Sequence, residues 1–344
     1  MSLHLEATIE DRDVDVSFDV ADGETLAILG PNGAGKSSVL AAIAGILRPD
    51  TGRATLGDDV LFGDGIWKQP HTRGTALLSQ DALLFPHLDV TDNVAFGPRS
   101  AGHSRSESRA RAKRWLAEVD ASELADQKPS QLSGGQAQRI GVARALAAEP
   151  RLLLLDEPMA ALDITVVPAM RHMLKRVLAE RTAVIVTHDA LDAALLADRV
   201  IVMDRGRIVE EGATKDVLTS PRSQFGARIA GLNLLSGISE GGGVRTPDGS
   251  LVGGLSSEPV VDGEAAVAVF SPSAVSVYLE PPGGSPRNVF AATVTDLEPI
   301  GAQVRVRTAE VSADITVAAV ADLQLMPGTK VYLSVKASEV AIYV

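Results

Sequence analysis

The run Gly30-Pro31-Asn32-Gly33-Ala34-Gly35-Lys36-Ser37 is a complete phosphate loop of the Walker A pattern, and it fixes the local chain path more tightly than anything else in the sequence. Ala27-Ile28-Leu29 before it predicts a buried strand, and residues 36–47 are apolar at helical spacing, so the glycines fall at a strand-to-helix turn. Gly30, Gly33 and Gly35 permit backbone angles that a Cβ forbids, which lets successive N–H groups wrap phosphate oxygens at a helix N-terminus. Pro31, Asn32, Ala34 and Ser38 complete the expected cradle. In that setting Lys36 reaches the β- and γ-phosphates and the Ser37 hydroxyl ligates Mg²⁺.

A chain of 344 residues is long enough for two domains of the usual ~100–200 residues each. Aromatics make up only 3% while aliphatic residues and alanine abound, which suits helices packed on a parallel sheet. No stretch approaches the ~20 apolar residues that span a bilayer, and residues 1–10 lack the regions of a signal peptide, so a cytoplasmic chain is expected. The absence of cysteine excludes disulfides, thiolate metal sites and cysteine nucleophiles. A net charge of −12 argues against general nucleic-acid binding.

Residues 84–149 read as helical with polar faces. Between 99 and 114, Arg99, Arg105, Arg109, Arg111, Lys113 and Arg114 crowd against one acid, Glu107, as a solvated helix face or a surface near anionic lipid or a membrane partner. Buried strands return at 152–155, 183–186 and 200–202, separated by helical segments, as in a parallel α/β sheet. The first delivers Asp156 and Glu157 at its carboxyl end, where open α/β sheets bind ligands. Asp156 fits the Walker B acid that holds Mg²⁺, and Glu157 the group that polarises the attacking water. The second ends in Thr187-His188-Asp189, so His188 is expected at the γ-phosphate. Gln80 follows another apolar run; its amide can ligate Mg²⁺ and sense its loss. Leu132-Ser133-Gly134-Gly135-Gln136 opens a predicted helix over 136–148. It is either a glycine-rich cap or an anion-binding N-terminus that cannot easily serve its own phosphate loop.

The composition shifts after Ser236. Residues 236–257 are rich in glycine and serine, as a linker or a set of tight turns would be. Beyond them, short alternating runs at 266–270, 275–278, 289–294, 303–307, 313–317 and 330–336 predict a small β-barrel.

Taken together, these residues resemble the nucleotide-binding subunit of ABC transporters over residues 1–235. The resemblance implies an α/β P-loop NTPase fold with a helical subdomain at about 84–149, and ATP with Mg²⁺ as cofactors. It also implies a head-to-tail homodimer in which Lys36, Ser37, Gln80, Asp156, Glu157 and His188 act on one face of the nucleotide. Ser133, Gly134, Gly135 and Gln136 of the partner act on the other. Asp163 in Ala160-Ala161-Leu162-Asp163 matches the D-loop, with Ala160 where serine is usual. Many relatives stack adenine on an upstream aromatic; residues 3–16 contain none, and Phe18 reads as strand core.

The tail, residues 236–344, is similar to the OB-like regulatory barrel of importer ATPases. Gly284-Ser285-Pro286-Arg287-Asn288 and Lys336-Ala337-Ser338-Glu339-Val340 look like the molybdate-binding (Mop) type, as on the ATPase subunits of molybdate importers. Phe225 to Asn233 fits the same group and resembles actinobacterial members. The resemblance implies an ATPase peripheral at the cytoplasmic membrane face, working with a permease and an extracytoplasmic molybdate-binding protein. The cargo would be molybdate or tungstate, with sulfate, sugar, polyamine or iron as alternatives. Ser285, Arg287 and Lys336 would hold the oxyanion, or the barrel only dimerises or supports the subunit. A soluble ABC protein acting on nucleic acid fits poorly, because residues 236–344 carry twelve acids against six Lys plus Arg.

Overall fold

Strands β1 (Leu3–Ile9) and β2 (Val14–Val20) alternate apolar and polar residues at a period of two, and in β2 burial follows that alternation residue by residue. By contrast β3 (Thr25–Leu29) is buried along its whole length, as a parallel strand covered on both faces must be. It runs through the loop at 30–35 into α1 (Lys36–Ala44). With β4 (Thr51–Leu56), β5 (Asp59–Gly63) and β6 (Ile66–Trp67), the first two strands form an antiparallel sheet in the order β2-β1-β4-β5-β6. Next come β7 (Thr75–Leu78) and the helical region: α2 (Val90–Val94), α3 (Phe96–Ser100), α4 (Arg105–Glu118) and α5 (Gly134–Ala147). The chain returns through β8 (Leu152–Asp156), α6 (Val167–Leu178), β9 (Ala183–Val186), α7 (Ala190–Leu196), β10 (Arg199–Asp204) and β11 (Arg207–Ala213).

The second sheet has the order β11-β10-β3-β9-β8-β7, parallel throughout except at β10–β11. Because β3, β8 and β9 are parallel neighbours, their carboxyl ends deliver residues to one edge. In this computed structural model residues 2–256, 259–284 and 286–344 are described, and they divide into two compact units, Met1–Lys215 and Asp216–Val344. No helix among the described residues is long and apolar enough to cross a membrane.

The helix expected over 36–47 stops at Ala44. Gly45 takes φ 82° and its N–H reaches the carbonyls of Ala41 and Ala42, a left-handed cap that ends the helix despite the apolar residues beyond. In the helical region Glu107 is spent on a reciprocal cap with Ser104. Part of the basic cluster is balanced from other elements. Arg109 faces Asp92 at 3.1 Å and Arg111 faces Glu149 at 2.7 Å, which favours a solvated, paired face.

Helix α8 (Thr214–Thr219) carries the chain from one unit into the next, and α9 (Gln224–Ala230) is capped by Ser223. The strands are β12 (Asn233–Glu240), β13 (Gly243–Arg245), β14 (Leu251–Gly253), β15 (Ala265–Phe270), β16 (Ser276–Tyr278), β17 (Asn288–Thr293), β18 (Asp296–Ile300), β19 (Gln303–Arg307), β20 (Ser312–Thr316), β21 (Lys330–Val335) and β22 (Ala341–Tyr343). They form three OB-like sheets, β14-β13-β12-β15-β22, β16-β21-β17 and β18-β19-β20, over a shared core that includes Leu235, Val252, Phe270, Val306 and Leu333.

Reading residues 236–257 as a linker needs correction, since they contain most of β12 and all of β13 and β14, joined by tight turns. Gly237 is a strand residue, and a Cβ there would meet the Arg245 carbonyl oxygen at 2.1 Å. The glycine therefore reports close approach of two strands rather than a flexible tether. The proline of β18, Pro299, sits on an edge strand where a missing N–H is tolerated.

Candidate functional site

The loop at 30–35 is held where a strand end, the β1–β2 turn and α1 meet. Gly33 and Gly35 take φ 84° and 95°, angles that cost a side-chain-bearing residue energy. Sterics add to this: a Cβ on Gly30 would lie 2.4 Å from the Met203 carbonyl oxygen, and one on Gly35 2.4 Å from Val14 Cγ2. Lys36 Nζ donates to the carbonyls of Gly30 and Pro31, both at 2.9 Å, which holds the ammonium at the loop. Burial lowers the Lys36 pKa, while Glu157 and then Asp156 oppose that shift.

Ser37 Oγ donates to Asp156 Oδ1 at 3.1 Å, joining the start of α1 to the end of β8. Burial raises the Asp156 carboxyl above its ordinary value; the Ser37 hydrogen bond opposes the shift and the neighbouring Glu157 charge adds to it. Glu157 follows at φ 45°, a left-handed conformation that costs a non-glycine residue on the order of 1–3 kcal/mol. Its N–H donates to the Val186 carbonyl at 3.0 Å, so the bend is pinned by the adjacent strand. His188 Nδ1 lies 3.5 Å from Glu157 Oε2. A cavity of about 610 Å³ is lined by Asn32 to Ser38, Gln80, Glu157 and Arg12.

The sequence pattern thus converges for Asn32, Gly33, Ala34, Gly35, Lys36, Ser37, Ser38, Gln80 and Glu157, with Gly30, Pro31, Asp156 and His188 in contact with members of that set. Ser133, Gly134, Gly135, Gln136 and Asp163 do not line this cavity. Ser133 Oγ accepts the Gln136 N–H at 3.3 Å and the Gln136 side chain accepts the Ser133 N–H at 2.8 Å, a reciprocal cap that opens α5. A Cβ on Gly135 would meet Val166 Cγ1 at 2.7 Å. The start of α5 therefore packs against the segment that carries Asp163, whose carboxylate accepts the Thr165 N–H at 2.9 Å.

Arg12 was not legible as a site residue. It ends a short 3₁₀ turn between β1 and β2, and its Nη1 donates to Ser38 Oγ at 2.9 Å. A surface turn written Glu10-Asp11-Arg12-Asp13 gives no signal of this, because the contact joins the β1–β2 turn to a helix 26 residues further on. Arg144 on α5, outside the cavity, supports it from behind. It donates to the carbonyls of Leu83 and Ala82 at 2.9 and 2.8 Å and so holds the segment that follows Gln80.

Among the tail residues, Ser285 lies outside the described residues. The register Asn288↔Val335 sets Arg287 and Lys336 next to each other at one end of the β17–β21 pair, and both are exposed. Asn288 beside them is buried and clamps Gly253 through two hydrogen bonds of 2.8 and 2.9 Å.

Residues 14–160 match the family model described as ABC transporter, and residues 284–342 match that of the TOBE domain. The molybdenum import ATP-binding protein ModC of Mycobacterium tuberculosis is 50% identical, over 99% of this chain and 97% of that protein. The molybdate/tungstate import ATP-binding protein WtpC of Pyrococcus horikoshii is 37% identical, over 96% and 95%. Among solved structures, the dimeric post-hydrolysis state of the ATP-binding cassette MJ0796 bound to ADP and Pi is 29% identical with a TM-score of 0.55, covering 62% of this chain and 99% of that one.

Proposed function

Since this chain belongs to the ABC transporter family of ATP-binding import subunits, we propose that it hydrolyses ATP to energise uptake of molybdate or tungstate through a separate membrane permease. The observation that carries the cargo is end-to-end likeness, tail included, at 50% identity to a molybdenum import subunit. The iron import subunit of Streptomyces avermitilis is less similar, at 38% over 85% of this chain.

The chemistry follows from the site. Loop N–H groups and Lys36 bind the triphosphate, and Arg12, anchored on Ser38, adds a second cation to the wall. Ser37 Oγ and Asp156 Oδ1, adjacent hard oxygens with Gln80 in the same cavity, fit Mg²⁺, which also takes phosphate oxygens as ligands. When bound, the ion neutralises developing phosphate charge. Glu157 orients and polarises the attacking water, and His188, reaching toward it, contacts the γ-phosphate. The Ser133 to Gln136 helix start faces the nucleotide of a second copy, which explains why it lies outside its own cavity. The working unit is therefore a homodimer, peripheral at the cytoplasmic membrane face, served by an extracytoplasmic molybdate-binding protein. A permease helix docks beside Gln80, where Leu83 and Phe96 are exposed. In the tail, Ser285, Arg287 and Lys336 hold the oxyanion, and residues 236–344 act as the regulatory part.

The test is uptake of labelled molybdate and sulfate by cells that carry the permease with either the native chain or Glu157→Gln. Molybdate uptake lost in the variant is the expected result. Uptake of sulfate alone, or normal molybdate uptake without the chain, refutes the cargo.

A further inference from the structure

His188 is 60% exposed, and its described side-chain contact is Glu157 at 3.5 Å. Packing does not aim such a ring; its backbone must. Both flanking residues are pinned. The Thr187 N–H donates to the Ile28 carbonyl at 3.3 Å, and Thr187 Oγ accepts the Asp189 N–H at 3.1 Å. Asp189 Oδ1 in turn accepts the Leu191 N–H at 2.7 Å and caps α7.

Thr187 Oγ also donates, at 3.1 Å, to Asp192 Oδ2. The other oxygen of that carboxylate takes Arg171 Nε at 2.7 Å, in an ion pair whose side chains are only 12% and 6% exposed. We infer that the buried Arg171–Asp192 pair, acting through the Thr187 hydroxyl, is the device that positions His188 against Glu157. The inference deepens the hydrolytic reading above and rests on it.

The energetics favour a role beyond stability. Burying two charges costs several kcal/mol, and a well-packed apolar pair often serves a core as well. What only the carboxylate supplies is a second oxygen for Thr187. Burial raises the Asp192 carboxyl and the Arg171 hydrogen bond opposes that shift, so the arginine favours the charged form of the acceptor. The connection also has a direction. Arg171 belongs to α6, which begins directly after the segment holding Asp163, and it pairs with Asp192 and, at 3.5 Å, with Asp189, so displacement of that segment reaches both neighbours of His188. Arg171 and Asp192 are positioning residues; neither lines the nucleotide cavity.

The clean probe is Thr187→Val in the full chain, which removes the hydroxyl and keeps the volume. Steady-state ATP hydrolysis should show kcat reduced about tenfold and KM within about twofold, with a melting temperature lowered by the two lost hydrogen bonds but the fold retained, and Thr187→Ser restoring both turnover and melting temperature. In a His188→Ala background the same substitution should change kcat by less than about twofold, because the group it positions is gone. The apolar pair Arg171→Met with Asp192→Leu should reproduce the kcat loss while the fold is retained. Equal losses in both backgrounds, or native turnover by Thr187→Val, would overturn the positioning role alone. Native turnover by His188→Ala would overturn the hydrolytic reading of that residue as well.

Discussion

The two units treat charge in opposite ways. In Met1–Lys215 the functional ions are drawn inward and joined across elements: Lys36 onto its own loop, Ser37 onto Asp156, Arg171 onto Asp192. In Asp216–Val344 most ion pairs bridge neighbouring strands on a sheet face. Arg307 meets Glu298 across one strand pair, and Arg245 meets Glu240 across another. Arg305–Asp314 is the better-buried case, with two hydrogen bonds of 2.7 and 2.8 Å. The candidate oxyanion residues Arg287 and Lys336 stay at least partly exposed at strand ends. The difference teaches where preorganisation is spent. Aligning water and phosphate requires fixed groups in a dry site, whereas an anion held at a strand end can be gripped by side chains that order on binding.

The largest effect that tests this contrast is Glu157→Gln, expected to lower ATP turnover about a hundredfold or more with ATP binding retained, as read by single-turnover hydrolysis and nucleotide titration. Retained turnover would remove the fixed-group premise from the first unit. Arg12→Ala comes next. Losing a charge-assisted donor beside Ser38 should raise KM for ATP about tenfold with little change in kcat, and Arg12→Lys should recover part of it. For the tail, Arg287→Ala with Lys336→Ala should abolish calorimetric binding of molybdate to the full chain while moving stability by less than ~0.5 kcal/mol. A large loss of stability would show instead that these cations are structural. The smallest effect is Glu298→Gln, whose half-exposed partner Arg307 should make it cost less than ~1 kcal/mol in urea unfolding.

Much of the first unit was legible. A short unbroken apolar run between helical segments fits a strand covered on both faces by helices, as in a parallel sheet. Accordingly Ala183–Val186 is a fully buried strand with the expected bounds, and Leu152–Asp156 extends the expected strand by the acid itself. The same pattern reading erred where glycine carried two meanings. Gly45 ended a helix that hydrophobicity alone would prolong, and Gly237 marked strand contact where composition suggested a tether. Arg73 shows a different limit. It sits in the polar run Pro70 to Gly74, yet is fully buried, donating to the carbonyls of Ala42 and Ile43 at 2.8 and 2.9 Å beside the Trp67 ring. It caps the far end of the phosphate-loop helix, and burial lowers its pKa to about 10.

By itself the sequence determined the phosphate loop, the strand that delivers Asp156 and Glu157, the position of His188 and the order of the two units. Each is a local matter, because glycine backbone freedom, burial periodicity and strand-end placement act within a few residues. Only the tertiary structure decided that Arg12 joins the nucleotide wall, that Arg73 closes α1 from below and that Arg171 reaches His188 through Asp192 and Thr187. Those contacts link distant parts of the chain, and an arginine's long stem can serve solvent, a helix end or a buried carboxylate with the same local sequence around it.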